Sequence, residues 1–249
     1  MPGFWLESGD VQADRLILRG EEVHHLVRAR RHRVGDRIDA VDGLGGFFET
    51  SIVAIGKNEV VCRILARRAG HGESPIELCL APALMKGQRF DFVVEKGVEV
   101  GVDGIVPLIT SRGVVRPGSE NKGERWKRLA RAAVKQCGRS RLPEIHPAAE
   151  LGAVIDEWRG EGRLALMAVP GSRGEKLRSL LGGEEMGCIG LLVGPEGGFT
   201  EEEEELARGE GVRFFSWGER VLRADTASIV LAALVLYEAE QSLAHRESV

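Results

Sequence analysis

Two stretches decide how this chain reads: Leu191-Leu-Val-Gly-Pro-Glu-Gly-Gly-Phe-Thr200 and Trp217-Gly-Glu-Arg-Val-Leu-Arg-Ala-Asp-Thr-Ala227. Each takes a short apolar strand into a glycine-bearing loop and then a helix, an arrangement in which backbone amides and carbonyls close around a small ligand. Two such loops so close together predict a cofactor site. In the first, Gly194, Gly197 and Gly198 remove side chains where a backbone must approach closely, and Thr200 with Glu203 predicts a capping box that opens the next helix.

The charge around the first loop narrows the ligand. A phosphate-binding loop ends in Gly-Lys followed by Ser or Thr, whereas this one has no lysine and runs into Glu201 to Glu205. Those carboxylates suit the positive end of a helix and repel a polyphosphate. A zwitterionic, partly cationic cofactor fits better, and S-adenosylmethionine is such a molecule. The same loop also reads as an ordinary strand-to-helix turn with no ligand.

The 249 residues suffice for one large domain or two modest ones, and 43% hydrophobic with 29% charged residues is ordinary for a globular protein. A charged-then-apolar leader and a run of about 18 apolar residues are both missing, so the expectation is a cytoplasmic protein, neither exported nor membrane-bound. Cys62, Cys79, Cys137 and Cys188 are far apart, which argues against a zinc site or a disulfide framework; reduced, mostly buried thiols and no metal are expected.

A formal net charge of −4 hides an asymmetry. Arg15, Arg19, Arg28, Arg30, Arg31, Arg33 and Arg37 crowd the first region, and a second run holds Arg112, Arg116, Lys122, Arg125, Lys127, Arg128, Arg131, Lys135, Arg139 and Arg141. Basic patches on an otherwise acidic chain are what phosphate-backbone binding requires. Either run alone also reads as a solvated helix face.

From Arg15 to Ala66, short strands separated by turn signals at Val34-Gly-Asp, Asp42-Gly-Leu-Gly-Gly and Gly56-Lys-Asn predict a small β-barrel with one helix over 21–30. Arg67 to Pro75 reads as a linker. Beyond it, strands alternate with amphipathic helices, which predicts an α/β domain with a largely parallel sheet. The helices include 88–100, 124–137, 149–159, 175–181 and 201–209, and Gly104 to Ile109 reads as one strand. The last helix, 226–243, is apolar nearly all round and predicts either core or a subunit interface.

The two loops resemble the signature loops of the bacterial small-subunit ribosomal RNA uridine-N3 methyltransferases, which belong to the knotted SPOUT methyltransferases. Glu95-Lys-Gly-Val-Glu-Val-Gly-Val and Gln136-Cys-Gly-Arg-Ser-Arg-Leu-Pro-Glu-Ile are similar to two further segments of that family, as are His24-His-Leu through Val34-Gly-Asp and Asp42-Gly. The resemblance spans nearly the whole chain, in order. It implies a PUA-like RNA-binding barrel over 1–70 and a SPOUT domain over 75–249 with a deep trefoil knot around S-adenosylmethionine. It also implies a homodimer acting on 16S ribosomal RNA within the small subunit. The chain departs from the family's pattern at Arg30, at Val98 and Val100, and at Asp225, which stands where glutamate is usual.

By the same resemblance the cofactor falls to Met167 and Ala168, to Gly194, Pro195, Glu196, Gly197 and Gly198, and to Trp217, Gly218, Val221, Leu222, Arg223 and Thr226, with Leu222 packed on the adenine. Met167 also reads as a core residue at a strand end. Glu196, Asp225 and Arg223 are the candidate catalytic groups. Transfer to N3 requires in-line alignment, loss of the N3 proton and stabilisation of charge on O2 and O4, so a carboxylate base or a cation serves, although both acids also read as loop braces. RNA contacts are assigned to Arg28, Arg31, Lys86, Lys96, Arg112 and Arg139, with surface ion pairing to Glu95 or Glu99 as the competing role of Lys96 and Arg139. A SPOUT enzyme acting on transfer RNA and a non-enzymatic RNA-binding assembly factor are the competing readings of the whole chain.

Overall fold

The computed structural model describes residues 3–115, 121–182 and 187–247, and the chain falls into two compact units. Arg116 of the second basic run lies outside the described residues. The first unit is Met1–Glu73 with Arg131–Leu142. Its elements are β1 (Phe4–Trp5), β2 (Arg15–Arg19), α1 (Glu21–His24, continued by a π turn His25–Ala29), β3 (Arg37–Val41), β4 (Gly46–Ile55) and β5 (Glu59–Ala69). They form a five-stranded sheet in the order β1-β3-β4-β5-β2, with β1 parallel to β3 and the other pairs antiparallel. Alternation puts Leu16, Leu18, Ile38, Ala40, Ile52 and Val60 into one core with Phe4 and Leu26. Bulges at Glu49/Thr50 and Ile52/Ala54 bend β4, and the sheet is a half-barrel with β1 and β2 as its edges.

The linker expected from Arg67 is strand for its first residues. Phe47 pairs with Arg68 and Gly46 with Ala69, and the Arg67 guanidinium lies 5.7 Å from the Phe48 ring. The polar side chains of that stretch face outward from a paired backbone, which a reading based on polarity took for a loop. Beyond it, His71 stacks on Phe47 with 4.0 Å between ring centroids.

The second unit is Ser74–Ala130 with Pro143–Val249. In order it contains β6 (Glu77–Pro82), α2 (Gln88–Val100), β7 (Gly104–Ile105), β8 (Leu108–Ile109), α3 (Asn121–Cys137), β9 (Glu144–Ile145), β10 (Ala149–Glu150), α4 (Leu151–Gly160), β11 (Leu164–Ala168), α5 (Leu177–Leu180), β12 (Cys188–Val193), α6 (Glu201–Gly209), β13 (Arg213–Phe215) and α7 (Ala224–Glu247). The last turns of α3, from Arg131, belong to the first unit. Six strands pair in parallel in the order β13-β11-β12-β6-β7-β9. The two inner strands β12 and β6 are continuous apolar runs, as a sheet covered on both faces requires. Gly190 lets Trp158 of α4 lie directly on β12, since a Cβ there would overlap the indole.

Gly104 to Ile109, expected as one strand, is two. Pro107 cannot donate to a ladder, so β7 stays in the main sheet while β8 pairs with β10. Helix α7 buries Ala224, Ser228, Leu231, Ala232, Val235, Leu236 and Ala239, a stripe at helical spacing, and leaves Ala233 and Tyr237 exposed beside half-buried Val230 and Leu234. Over Ala224–His245 it is long and apolar enough to cross a membrane by length and composition, yet 33% of its most apolar window is buried within the unit. Cys62 and Cys79 are buried, Cys188 is half-buried and Cys137 exposed, and burial pushes the Cys79 thiol up to about 12.

Candidate active site

Ligands of open parallel sheets bind beyond the carboxyl ends of the strands. Here the chain leaves β11, β12 and β13 at that end by three loops, and their residues wall one cleft. Ala168 and Val193 end β11 and β12; Val169, Pro170 and Arg173 come from the first loop, Gly194, Pro195, Glu196, Gly198 and Phe199 from the second, and Trp217, Arg220, Val221 and Leu222 from the third. Glu204 of α6 and Ala224, Ala227 and Leu231 of α7 complete it. Gly171 N donates to Gly218 O at 3.1 Å and ties the first loop to the third.

The glycine loop is built as its sequence requires. Gly198 has φ 69°, in the left-handed region, and its N–H closes a turn onto Pro195 O at 2.8 Å. A Cβ on Gly194 would lie 3.1 Å from the Phe199 ring. The predicted capping box is present: Glu203 N donates to Thr200 Oγ1 at 3.2 Å and Thr200 N to Glu203 Oε2 at 2.8 Å. The other oxygen of Glu203 accepts from Ser111 N at 2.8 Å, which anchors α6 to the loop after β8.

Of the cofactor candidates, Ala168, Gly194, Pro195, Glu196, Gly198, Trp217, Val221 and Leu222 line the cleft. Met167 does not. Its side chain is fully buried in the core with Trp158, Leu192 and Phe214, in keeping with its alternative reading as a core residue at a strand end. Gly197 turns its carbonyl to Arg112, whose Nη1 donates to Gly197 O at 2.8 Å and Phe199 O at 3.0 Å. Gly218, at φ 130°, donates to Ser216 Oγ at 3.1 Å. Thr226 donates from its N to Asp225 Oδ1 at 2.7 Å and orients that carboxylate. Arg223 is exposed outside the walls, its carbonyl accepting from Ala227 N at 2.7 Å.

Sequence reasoning missed Arg89, the second residue of α2. Its Nη1 donates to Glu196 Oε1 at 2.7 Å and its Nε lies 4.0 Å from Asp225 Oδ2. It also missed Arg173, which donates to both oxygens of Glu204 at 2.8 and 3.0 Å. Neither arginine sits in a glycine motif. An arginine two residues after Gly87 carries no signal until the fold sets it beside an acid.

The cations assigned to RNA divide into two groups. Arg28, Arg31 and Lys86 are exposed, and Arg31 is the one non-glycine residue with positive φ, 55°, among the described residues. Lys96 instead donates to Glu95 and Glu99, both at 2.8 Å, and the Glu95 carboxylate followed by that of Glu99 raises its pKa. Arg139 is 3% exposed; its Nε and Nη2 donate to Glu73 Oε2 at 2.9 and 2.7 Å. The other oxygen of Glu73 accepts from Ser140 N and Arg141 N, both at 2.8 Å. The expected phosphate contact of Arg139 is therefore corrected to a buried staple within the first unit. More of the second basic run is engaged the same way: Arg125 with Asp91 at 2.5 Å, Lys127 with Glu124 at 3.1 Å, Arg131 with Glu7, and Lys135 with Glu22 at 2.5 Å.

A family model described as an RNA methyltransferase domain matches residues 72–236, and one described as an RNA methyltransferase PUA domain matches 18–65. The chain belongs to the RNA methyltransferase family. Among members, a protein of Synechocystis sp. named ribosomal RNA small subunit methyltransferase E is 31% identical, over 92% of this chain and 78% of that one. One of the same name from Bacillus subtilis is 28% identical over 92% of each. The crystal structure of a ribosomal RNA small subunit methyltransferase E from Neisseria gonorrhoeae bound to S-adenosyl methionine superposes with a TM-score of 0.83 at 30% identity, covering 95% of this chain and 97% of that one. The fold is thus that of an α/β methyltransferase with a half-barrel PUA domain before it.

Proposed function

We propose that the protein transfers a methyl group from S-adenosylmethionine to N3 of a uridine in the 16S ribosomal RNA of the small subunit. The observation that carries this reading is the convergence of three loops, from the ends of adjacent strands β11, β12 and β13, on one cleft in a member of the RNA methyltransferase family.

The residues present fit the cofactor. Gly194 and Gly198 open a cradle that side chains would fill or strain, and Trp217 Nε1 is a buried donor without an acceptor in a residue that lines the cleft. A ligand with ring nitrogens and hydroxyls supplies that acceptor. Val221, 76% exposed, and Leu222 offer apolar surface for a purine. When bound, S-adenosylmethionine supplies an electrophilic sulfonium methyl group.

The remaining chemistry falls to side chains. N3 of uracil carries a proton that must leave as the ring attacks, and Glu196 or Asp225 accepts it in this reading. Negative charge then grows on O2 and O4, and Arg223 is the cation assigned to it in this reading. The base must be unstacked to expose its Watson–Crick edge. Arg28 and Arg31 of the first unit grip phosphate, with residues 1–70 as the RNA-binding domain and 75–249, apart from the 131–142 segment that folds with the first unit, as the knotted catalytic domain. The exposed apolar face of α7 supports a homodimer, and the assembled small subunit in the cytoplasm is the proposed substrate.

Calorimetry with S-adenosylmethionine, followed by methyl transfer to small ribosomal subunits isolated from cells lacking the gene, tests the reading. Micromolar binding and one methyl per subunit are expected; no binding and no transfer would reject it.

A further inference from the structure

Arg89 joins two carboxylates that come from separate loops. Glu196 belongs to the loop after β12 and Asp225 to the first turn of α7, after the third loop. Glu196 lines the cleft, and Asp225 follows Ala224, which also lines it; two neighbouring carboxylates repel each other when ionised unless a cation lies between them. The Arg89 fork occupies that place, hydrogen-bonded to Glu196 at 2.7 Å and within ion-pair range of Asp225 at 4.0 Å.

The arginine is presented from a fixed platform. Its neighbour Phe90 is 1% exposed and stacks on Trp126 with 4.4 Å between centroids. Next to that, Asp91 accepts from Trp126 Nε1 at 3.1 Å and from Arg125 Nη2 at 2.5 Å. The first turn of α2 is therefore pinned on the side opposite Arg89, and groups held on such elements are placed more sharply than groups held on loops. Asp225 is pinned too, by Thr226 N at 2.7 Å on its other oxygen. Glu196 has no such second anchor among the described residues. Arg89 is what fixes it.

Stability does not explain the arrangement. The Arg89 and Glu196 side chains are 48% and 51% exposed, and an ion pair so open to water adds little to folding. Placement does explain it, since a reacting group displaced by about 1 Å costs about 100-fold in rate. We propose that Arg89 is a positioning residue for methyl transfer: it ties the glycine loop to the start of α7 and holds Glu196 and Asp225 in the arrangement that accepts the N3 proton. This rests on the function proposed above.

The test compares Arg89→Ala, Arg89→Lys, Glu196→Gln and the Arg89→Ala/Glu196→Gln double variant as full-length proteins, with thermal melts to show that each is folded. Calorimetry gives S-adenosylmethionine affinity, and single-turnover methyl transfer to small subunits at saturating cofactor and RNA gives the rate. Arg89→Ala should keep cofactor affinity within about threefold and lose about 10- to 100-fold in rate. Arg89→Lys should regain part of that loss, and the loss in the double variant should fall short of the product of the single losses, because Arg89 acts in part through Glu196. An unchanged rate in Arg89→Ala, losses that multiply in the double variant, or a loss confined to cofactor affinity would each overturn the proposal. Failure of the unmodified protein to methylate at all would instead reject the underlying function.

Discussion

Arg112 donates to the carbonyl oxygen of Gly197 at 2.8 Å, so a cation that the sequence assigned to RNA braces the glycine loop from behind. A charged donor shared by two loop carbonyls contributes on the order of 1–2 kcal/mol to the loop's closed form. Arg112→Ala should weaken S-adenosylmethionine binding by about 5- to 20-fold while leaving the salt dependence of RNA binding unaltered. Calorimetry and filter binding across a salt series separate the two, and a reduced salt slope with full cofactor affinity would restore the RNA contact.

Gly198 is held at φ 69°, where an alanine costs about 1–2 kcal/mol. No heavy atom lies within 4 Å of a Cβ built there, so the penalty is conformational and falls on the loop. Gly198→Ala should lower cofactor affinity at least tenfold and the melting temperature by only a few degrees. Gly194→Val adds bulk against the Phe199 ring and should abolish binding; wild-type affinity in both folded variants would remove the cleft from the account.

Glu73 and Arg139 form a buried pair whose single removal strands a charge. Arg139→Ala should destabilise the protein by about 3–5 kcal/mol, visible as an early transition in denaturant. Any loss of RNA affinity should then track unfolding of the first unit. A stable Arg139→Ala variant with a reduced salt slope would return this arginine to the RNA surface.

The sequence showed the second unit more clearly than the first. Helices Gln88–Val100 and Glu201–Gly209 fall where periodicity and capping place them, because each carries an apolar stripe and a start or stop signal of its own. The half-barrel was less legible at its ends. Phe4–Trp5 is too short to show alternation, and the outer end of β5 is polar because its side chains face water. Glycines revealed the cleft, since their pattern is local. The long-range pairs were hidden: Arg89 and Glu196 are 107 residues apart, and Arg139 and Glu73 are 66 apart, so a run of cations looked like an RNA surface until its partners were in place.

The exposed face of α7 predicts self-association. Tyr237, 58% exposed, sits on that face with Ala233, away from the stripe that packs inside the unit. Tyr237→Asp should convert a sedimenting dimer to a monomer, with little change in the melting of the monomeric unit. A wild-type protein that sediments as an active monomer would contradict the assignment.

The central claim is that this cleft methylates N3 of a uridine in small-subunit RNA. Mass mapping of ribosomal RNA from cells with the gene, without it, and complemented with the Gly194→Val variant tests it most directly. The account predicts one uridine that carries a ring methyl with the gene, loses it without the gene, and does not recover it with the variant. An unchanged methylation map, or a methyl that moves to a ribose or to transfer RNA, would contradict it.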